Sequence, residues 1–350
     1  MTIVDSHFHW WPRSIFEALC KRKDYPRAEP NGNGGYRYWR RAGEPPRFNA
    51  EAEWFDLDAQ LAHMDRLGDD VRVVASLGPL SIHFSDLPLS EGRDAAIAWN
   101  EEMAWAQGRF AGRVWGTAAV PLIDVTTALE VLDDAVSRLG LVAANLPSSI
   151  GDDARIDAVR LEPFYEYLNR RDVPVYLHPT DAVFPDILAG YDGALHLTIG
   201  RVIEVTVAAS RLILSGIMER YQSLNIIMSH TGGFLPYQAG RLDKNSKRAK
   251  LSQPASTYIK RMYTDTVSPH MPGIKFAIEF YGADHVMYGS DYPCWSPTTA
   301  LQLLRQIGLS DADCEKVMQG NARRILHLRE PASATSAETP HTSGLAVEVR

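Results

Sequence analysis

Eight short apolar, β-branched runs recur along this chain, and longer stretches with helical spacing lie between them. The runs are Ile3–Ser6, Val71–Leu77, Val114–Pro121, Leu141–Leu146, Val173–Leu177, Leu224–Ser229, Met262–Thr266 and Val286–Gly289. Between them, Trp54–Leu67 carries Phe55, Leu57, Leu61, Met64 and Leu67, and Thr126–Leu139 carries Ala128, Leu129, Val131, Leu132, Val136 and Leu139. Arg201–Tyr221 and Pro297–Leu309 are patterned alike. Alternation of strand and helix demands parallel strands joined by crossovers. Eight such units in one chain predict an α/β fold of the (β/α)8 TIM-barrel type over residues 1–329. An open doubly wound sheet is the rival; it usually carries a glycine-rich first turn, and none follows the first run.

Two regions break the rhythm. Residues 21–49, rich in Gly, Pro, Arg and Tyr without periodicity, are expected to form a long loop insertion (about 20–50) over the active face. The stretch from about Glu330 to Arg350, rich in Ser, Thr, Ala and Pro, is expected to be a disordered tail. The formal net charge of −7 argues against nucleic acid as a main partner. Cys20, Cys294 and Cys314 are odd in number and widely spaced, which points to free thiols in a reducing compartment. No basic-then-apolar leader opens the sequence and no apolar run is long enough to span a bilayer. The expectation is a cytoplasmic protein without a membrane partner.

Barrel enzymes carry their chemistry at the C-terminal ends of strands. The first run ends in His7-Phe8-His9, the fifth in His178-Pro179, the sixth in His230-Thr231-Gly232-Gly233 and the eighth in Asp291-Tyr292-Pro293. In extended backbone, residues i and i+2 point to the same side, so His7 and His9 can reach one point together. Neutral imidazole is a common ligand for zinc and similar cations. Any one of these histidines read alone is as well explained as a satisfied buried group. Their grouping at equivalent strand ends is not expected by chance.

At these residues the chain resembles the amidohydrolase superfamily, in the branch of aminocarboxymuconate semialdehyde decarboxylase and related aryl-acid decarboxylases. The resemblance runs from about residue 2 to residue 328. It is carried by Asp5-Ser6-His7-Phe8-His9, Leu177-His178-Pro179, Ser229-His230-Thr231-Gly232-Gly233 and Gly289-Ser290-Asp291-Tyr292-Pro293. It implies that His7, His9, His178 and Asp291 bind one divalent metal ion, zinc first and manganese or iron otherwise, with positions open to water and substrate. It implies a catalytic pair of His230, as general base, and Asp291. Two-metal members of the superfamily use a lysine at the end of strand four. Here that segment reads Leu141-Val142-Ala143-Ala144-Asn145-Leu146-Pro147-Ser148-Ser149, so a single ion is expected.

The resemblance also matches Arg47 and Arg241 to arginines that grip substrate carboxylates, the second reaching in from a neighbouring subunit, which implies at least a homodimer. Trp10, with Trp11, Tyr36, Tyr38, Trp39, Phe48 and Trp54, offers rings that either stack on a flat substrate or pack the insertion onto the barrel rim. The implied reaction is decarboxylation of an aromatic or muconate-like carboxylic acid. The same ligands would equally serve a hydrolase or hydratase. A barrel that binds metal or a small acid without catalysis is the reading from another class, and the His230 position speaks against it.

Overall fold

A computed structural model describes residues 1–153, 155–181 and 187–329; the tail expected from Glu330 to Arg350 lies outside the described residues. All eight apolar runs become strands: β1 Thr2–His9, β2 Asp70–Ser76, β3 Val114–Gly116, β4 Ala144–Pro147, β5 Val175–His178, β6 Ile226–Met228, β7 Tyr263–Asp265 and β8 Val286–Met287. The crossover helices are α1 Leu57–Asp65, α2 Leu89–Arg109, α3 Val125–Ser137, α4 Glu162–Arg171, α5 Arg201–Leu214, α6 Leu235–Asn245, α7 Met271–Tyr281 and α8 Pro297–Gln306. Sequence chemistry sets their starts. The carboxylates of Asp56 and Asp124 cap α1 and α3, accepting from the amides of Ala59 and Thr127.

The strands pair in parallel as β1-β2-β3 and as β4-β5-β6-β7-β8. Parallel bridges Ala118 to Ala144 and Phe8 to Tyr292 join the two sets at both seams. The sheet therefore closes on itself, which rules out the open doubly wound alternative.

Alternation along the strands sorts the core into two layers. Ile3, Val73, Val114, Val175, Ile226 and Val286 face outward into the helices. Val4, Val74, Trp115, Ala143, Tyr176, Ile227, Tyr263 and Met287, one from each strand or its edge, meet each other in the barrel interior. Ala322, Ile325, Leu326 and Leu328, in and after the helix Asn321–Ile325, join that interior cluster.

The insertion differs from the expected loop. Arg27–Pro30, Tyr36–Trp39 and Phe48–Ala50 form a three-stranded antiparallel sheet. Its hairpin turns at Asn31, whose side chain accepts from the amides of Asn33 and Gly35. Tyr36 and Tyr38 point inward while Arg37 points to solvent, a period of two that glycine and proline content obscured. The rings pack mostly on one another: Trp11 on Trp54 at 4.3 Å, Phe16 on Phe55 at 4.9 Å and Tyr38 on Phe48 at 4.7 Å between centroids. Of the two readings of these aromatics, the packing one describes most of them.

Candidate metal centre

The upper end of the barrel interior is polar, and the same strands build it. On β5, Tyr176 in the apolar layer is followed two residues later by His178. On β7, Tyr263 is followed by Asp265, and on β8, Met287 leads through Gly289 to Asp291. Strand β1 needs a correction of phase, because Val4 and His7 lie three residues apart. Its register with β2 runs Asp5 to Val73 and then Phe8 to Ala75, so three steps on β1 match two on β2. The extra residue is a bulge, and it turns both His7 and His9 inward. Gly289 makes room for them: a Cβ there would lie 2.7 Å from His7 Cβ and 3.1 Å from Asp265 Cβ.

The inward groups converge. One ligand atom from each of His7, His9, His178 and Asp291 falls within 4.8 Å of the others, and all four residues are buried. His9 Nε2 lies 2.9 Å and His7 Nε2 3.4 Å from Asp291 Oδ1, and the two Nε2 atoms are 3.2 Å apart. The opposite ring nitrogens are already engaged: His7 Nδ1 with Asp265 Oδ2 at 2.6 Å, His178 Nδ1 with the Pro179 carbonyl at 2.7 Å, and His9 Nδ1 with the Ser76 carbonyl at 3.3 Å. Donation from Nδ1 fixes the tautomer and aims the Nε2 lone pair at the shared point. His178 Nε2 and Asp291 Oδ2 are buried with no hydrogen-bond partner among the described residues. Buried polar atoms are rarely left so, and a cation at that point would satisfy both. The donor set therefore fits one divalent metal ion.

The electrostatics agree. Burial lowers the pKa of His7, but Asp291 and Asp265 outweigh it and raise His7 to about 10. The carboxylates thus favour a positive charge at this spot, which a metal ion bound in place of the His7 Nε2 proton would supply. Burial would raise Asp291, yet His7 and the neighbouring imidazoles keep it ionised, well below the ordinary carboxylate range. His9 and His178 are pushed down, first by burial, and so stay neutral ligands. Behind β1, burial lifts Asp5 to about 7 although it accepts from the amide and hydroxyl of Ser290.

His230 stands at the rim, its Nε2 3.7 Å from Asp291 Oδ2 and its ring 5.4 Å from that of His7. It opens a run of four residues with positive φ, His230 to Gly233. Asp265 holds this turn by accepting the amides of His230 at 3.1 Å and Thr231 at 3.0 Å. At Gly232 a Cβ would lie 2.1 Å from Tyr281 Oη, so only glycine closes the turn. Asp265 was not among the residues singled out in the sequence. Its signal was available: an acid at the C-terminal end of the seventh run.

The remaining candidates fall as follows. Arg47 is largely buried and donates to the Asp181 backbone carbonyl, three residues beyond His178. Arg241 is exposed on α6, and no side-chain partner is recorded for it among the described residues. Trp10 is buried in the outer core, its indole N–H without a partner among the described residues, and Trp54, partly exposed, lies parallel to His9 at 5.9 Å. Strand β4 brings no ligand: Asn145 donates to Thr117 and Ala118, and Ser148 to Glu204.

Comparison with known proteins agrees with this geometry. The amidohydrolase family model matches residues 4–328. The chain is similar to gamma-resorcylate decarboxylase of Rhizobium sp. (strain MTP-10005), at 29% identity over 77% of this chain and 87% of that protein. It is also similar to 2-amino-3-carboxymuconate-6-semialdehyde decarboxylase of Dictyostelium discoideum, at 24% over 79% and 78%. The same fold is found in the apo crystal structure of Metarhizium anisopliae IDCase, with a TM-score of 0.79 and 24% identity over 93% of this chain and 97% of that one.

Proposed function

The chain belongs to the amidohydrolase family, in the branch that holds these decarboxylases, and on that premise we propose that it is a metal-dependent carboxy-lyase acting on an aromatic or muconate-like carboxylic acid. The observation that carries the reading is the pair of unpartnered buried atoms, His178 Nε2 and Asp291 Oδ2, beside His230. His7, His9, His178 and Asp291 would hold one divalent cation, zinc by donor type with manganese or iron as alternatives. When bound, the cation supplies Lewis acidity and fixed positive charge in a water-poor cavity.

Everything else is done by the chain. The Nδ1 contacts of the three ligand imidazoles keep them from rotating as the substrate enters. Asp291 reaches both the ligand cluster and His230, which ties the position of the acid–base group to that of the ligands. His230 Nε2 would carry the proton that replaces the departing carboxyl group on the substrate carbon. Arg47 offers a guanidinium for a substrate carboxylate, and Trp54 a ring face parallel to His9. Trp10, next in sequence to His9, is buried in the outer core. Arg241 we assign to a neighbouring subunit of a homodimer. With Cys20, Cys294 and Cys314 all unpaired, we place the protein in the cytoplasm.

The test is CO2 release from a panel of dihydroxybenzoic, carboxylated methoxyphenolic and muconic acids by protein loaded with zinc, manganese or iron. Release with at least one acid, dependent on metal, is expected; none across the panel overturns the reading. Oxygen from labelled water appearing in a cleavage product would favour the hydrolase or hydratase that shares these ligands.

A further inference from the structure

The three imidazoles of the metal centre are not held alike. His7 Nδ1 is anchored to Asp265 on β7, and His9 Nδ1 to the carbonyl and hydroxyl of Ser76 on β2, at 3.3 and 3.1 Å. Both anchors belong to other strands. His178 Nδ1 meets the carbonyl of Pro179, the next residue, at 2.7 Å. An anchor on the same turn moves with the turn, so the aim of His178 Nε2 depends on what fixes residues 179–181. Glu204, in the first turn of α5, is placed to do this. It is 2% exposed, and a glutamate is almost never buried so fully without partners. Its Oε2 accepts from the Thr180 amide at 2.8 Å, from the Ser148 hydroxyl at 2.5 Å and, at the longer distance of 3.4 Å, from the Thr180 hydroxyl. Thr180 follows His178 by two residues. Ser148, just past β4, donates its own amide to the His178 carbonyl at 3.0 Å. One carboxylate oxygen therefore ties the chain after the ligand to the strand beside it. Three residues earlier on the same side of α5, Arg201 donates from Nε and Nη2 to the Asp181 carboxylate, each at 3.0 Å. Asp181 has φ 55°, a conformation that a non-glycine residue holds only where its surroundings over-determine it. The first turn of α5 thus grips two consecutive residues of the turn that follows His178.

We propose that Glu204 is a positioning residue for His178: through Thr180 and Ser148 it sets the turn that aims His178 Nε2 at the shared point of the ligand cluster. This rests on the metal-ion reading of the site and is independent of which reaction follows. A hydrocarbon in place of the buried oxygen would leave the Thr180 amide and the Ser148 hydroxyl without their acceptor. Each would then turn to another partner, and the turn would carry His178 with it. The role needs an oxygen at that point and not the charge behind it. In this Glu204 differs from Asp291, whose charge itself faces the ligands.

Affinity for zinc and manganese, measured by competition with a chelator, reads this without turnover. Glu204→Met fills the same space without an acceptor and should weaken binding by about 10–100-fold. Glu204→Gln can present its carbonyl oxygen where Oε2 stands and should stay within about threefold of wild type. In a His178→Ala background, Glu204→Met should change affinity by less than about twofold, because the ligand through which it acts is gone. With cobalt bound, the visible absorption of wild type should be reproduced by the glutamine variant and altered in the methionine one. Wild-type affinity in a folded Glu204→Met overturns the proposal. So does a glutamine variant as weak as the methionine one, which would make the effect one of charge, and so does an undiminished loss in the His178→Ala background. If Glu204→Met does not fold, Ser148→Ala decides, since it removes one donor and leaves the carboxylate: binding weaker by about 2–10-fold supports the link, and unchanged affinity overturns it. Wild type that takes up no divalent ion removes the metal reading and the proposal together, whereas each of the other adverse outcomes removes the proposal alone.

Discussion

Two layers of the same barrel interior, one pleat apart, carry opposite chemistry. The lower layer is Val4, Val74, Trp115, Ala143, Tyr176, Ile227, Tyr263 and Met287, and it is filled as a hydrocarbon core is filled. The upper layer is His7, His9, His178, Asp265 and Asp291, buried to a similar degree. Burial stabilises the first set by roughly 1.5–3 kcal/mol for each large side chain. It works against the second unless charges and lone pairs are matched. The strands that end in ligands therefore divide their labour along their length: the lower turn holds the barrel closed, and the upper turn is preorganised for a cation. If that division is real, substitutions in the two layers should fail in different ways.

The largest effect is expected from a ligand. Asp291→Ala removes the one carboxylate of the set and the group that faces His230. Metal content should fall from about one ion per chain to background, and metal-dependent CO2 release with it. Retention of a full equivalent of tightly bound ion would show that the upper layer is not the metal site. His230→Gln should separate binding from chemistry. Turnover is expected to drop by about 10²–10⁴-fold while the metal stays bound, as for loss of an acid–base group. An unchanged rate would leave His230 without a catalytic part.

In the lower layer the signature reverses. Met287→Ala empties space from a fully buried position, and a loss of about 2–5 kcal/mol in urea unfolding is expected with metal stoichiometry unchanged. If metal binding is lost as well, the two layers are not separable. Between the layers lies Asp265, which holds both His7 Nδ1 and the His230 turn. Asp265→Asn keeps the shape and removes the charge. Metal affinity, read by competition with a chelator, should weaken by about 10–100-fold. No change would mean that the Asp265 contact does not tune the ligand.

Much of this was legible from residue pattern alone. The apolar runs marked all eight strands because parallel barrel strands are buried on both faces and read as nearly continuous hydrophobic segments. His7, His9, His178, His230 and Asp291 stood out because they follow those runs directly. What stayed hidden depended on three-dimensional placement. The β1 bulge that turns His7 inward leaves no mark in composition, since its extra residue is visible only against the register of β2. Asp265 and Arg201 are ordinary residues for a strand end and a helix start; only their partners, His7 on β1 and Asp181 after β5, distinguish them. The hairpin at Asn31 was legible in principle, but the glycines around it read as loop. Helix α2, the longest, has apolar residues too sparse for a clear period, because Gly92, Ala96, Asn100 and Ala106 supply part of its buried face.

The last test contrasts two histidines that are equally buried. His7 has two carboxylates against it and is held up; His83 lies outside the metal centre, meets Tyr38 Oη at 3.1 Å, and is held down to about 3 by burial and by the positive charge of Arg22. The sign follows from linkage. His83 is neutral in the fold below the ordinary histidine value of about 6.5, while the unfolded chain takes up the proton. Stability contributed by keeping it neutral is therefore present above that value and declines as pH falls toward the folded value. Between about pH 7 and about pH 5 the loss should approach ~2 kcal/mol, at roughly 1.4 kcal/mol per fully titrated unit. Chemical denaturation of wild type and His83→Gln at both pH values isolates this contribution, because the metal-site groups titrate identically in the two proteins. The difference in stability between them should shift by that amount toward the variant at the lower pH. Equal slopes in the two proteins would mean that His83 accepts its proton in the folded state, and that carboxylate neighbours are not what separates it from His7.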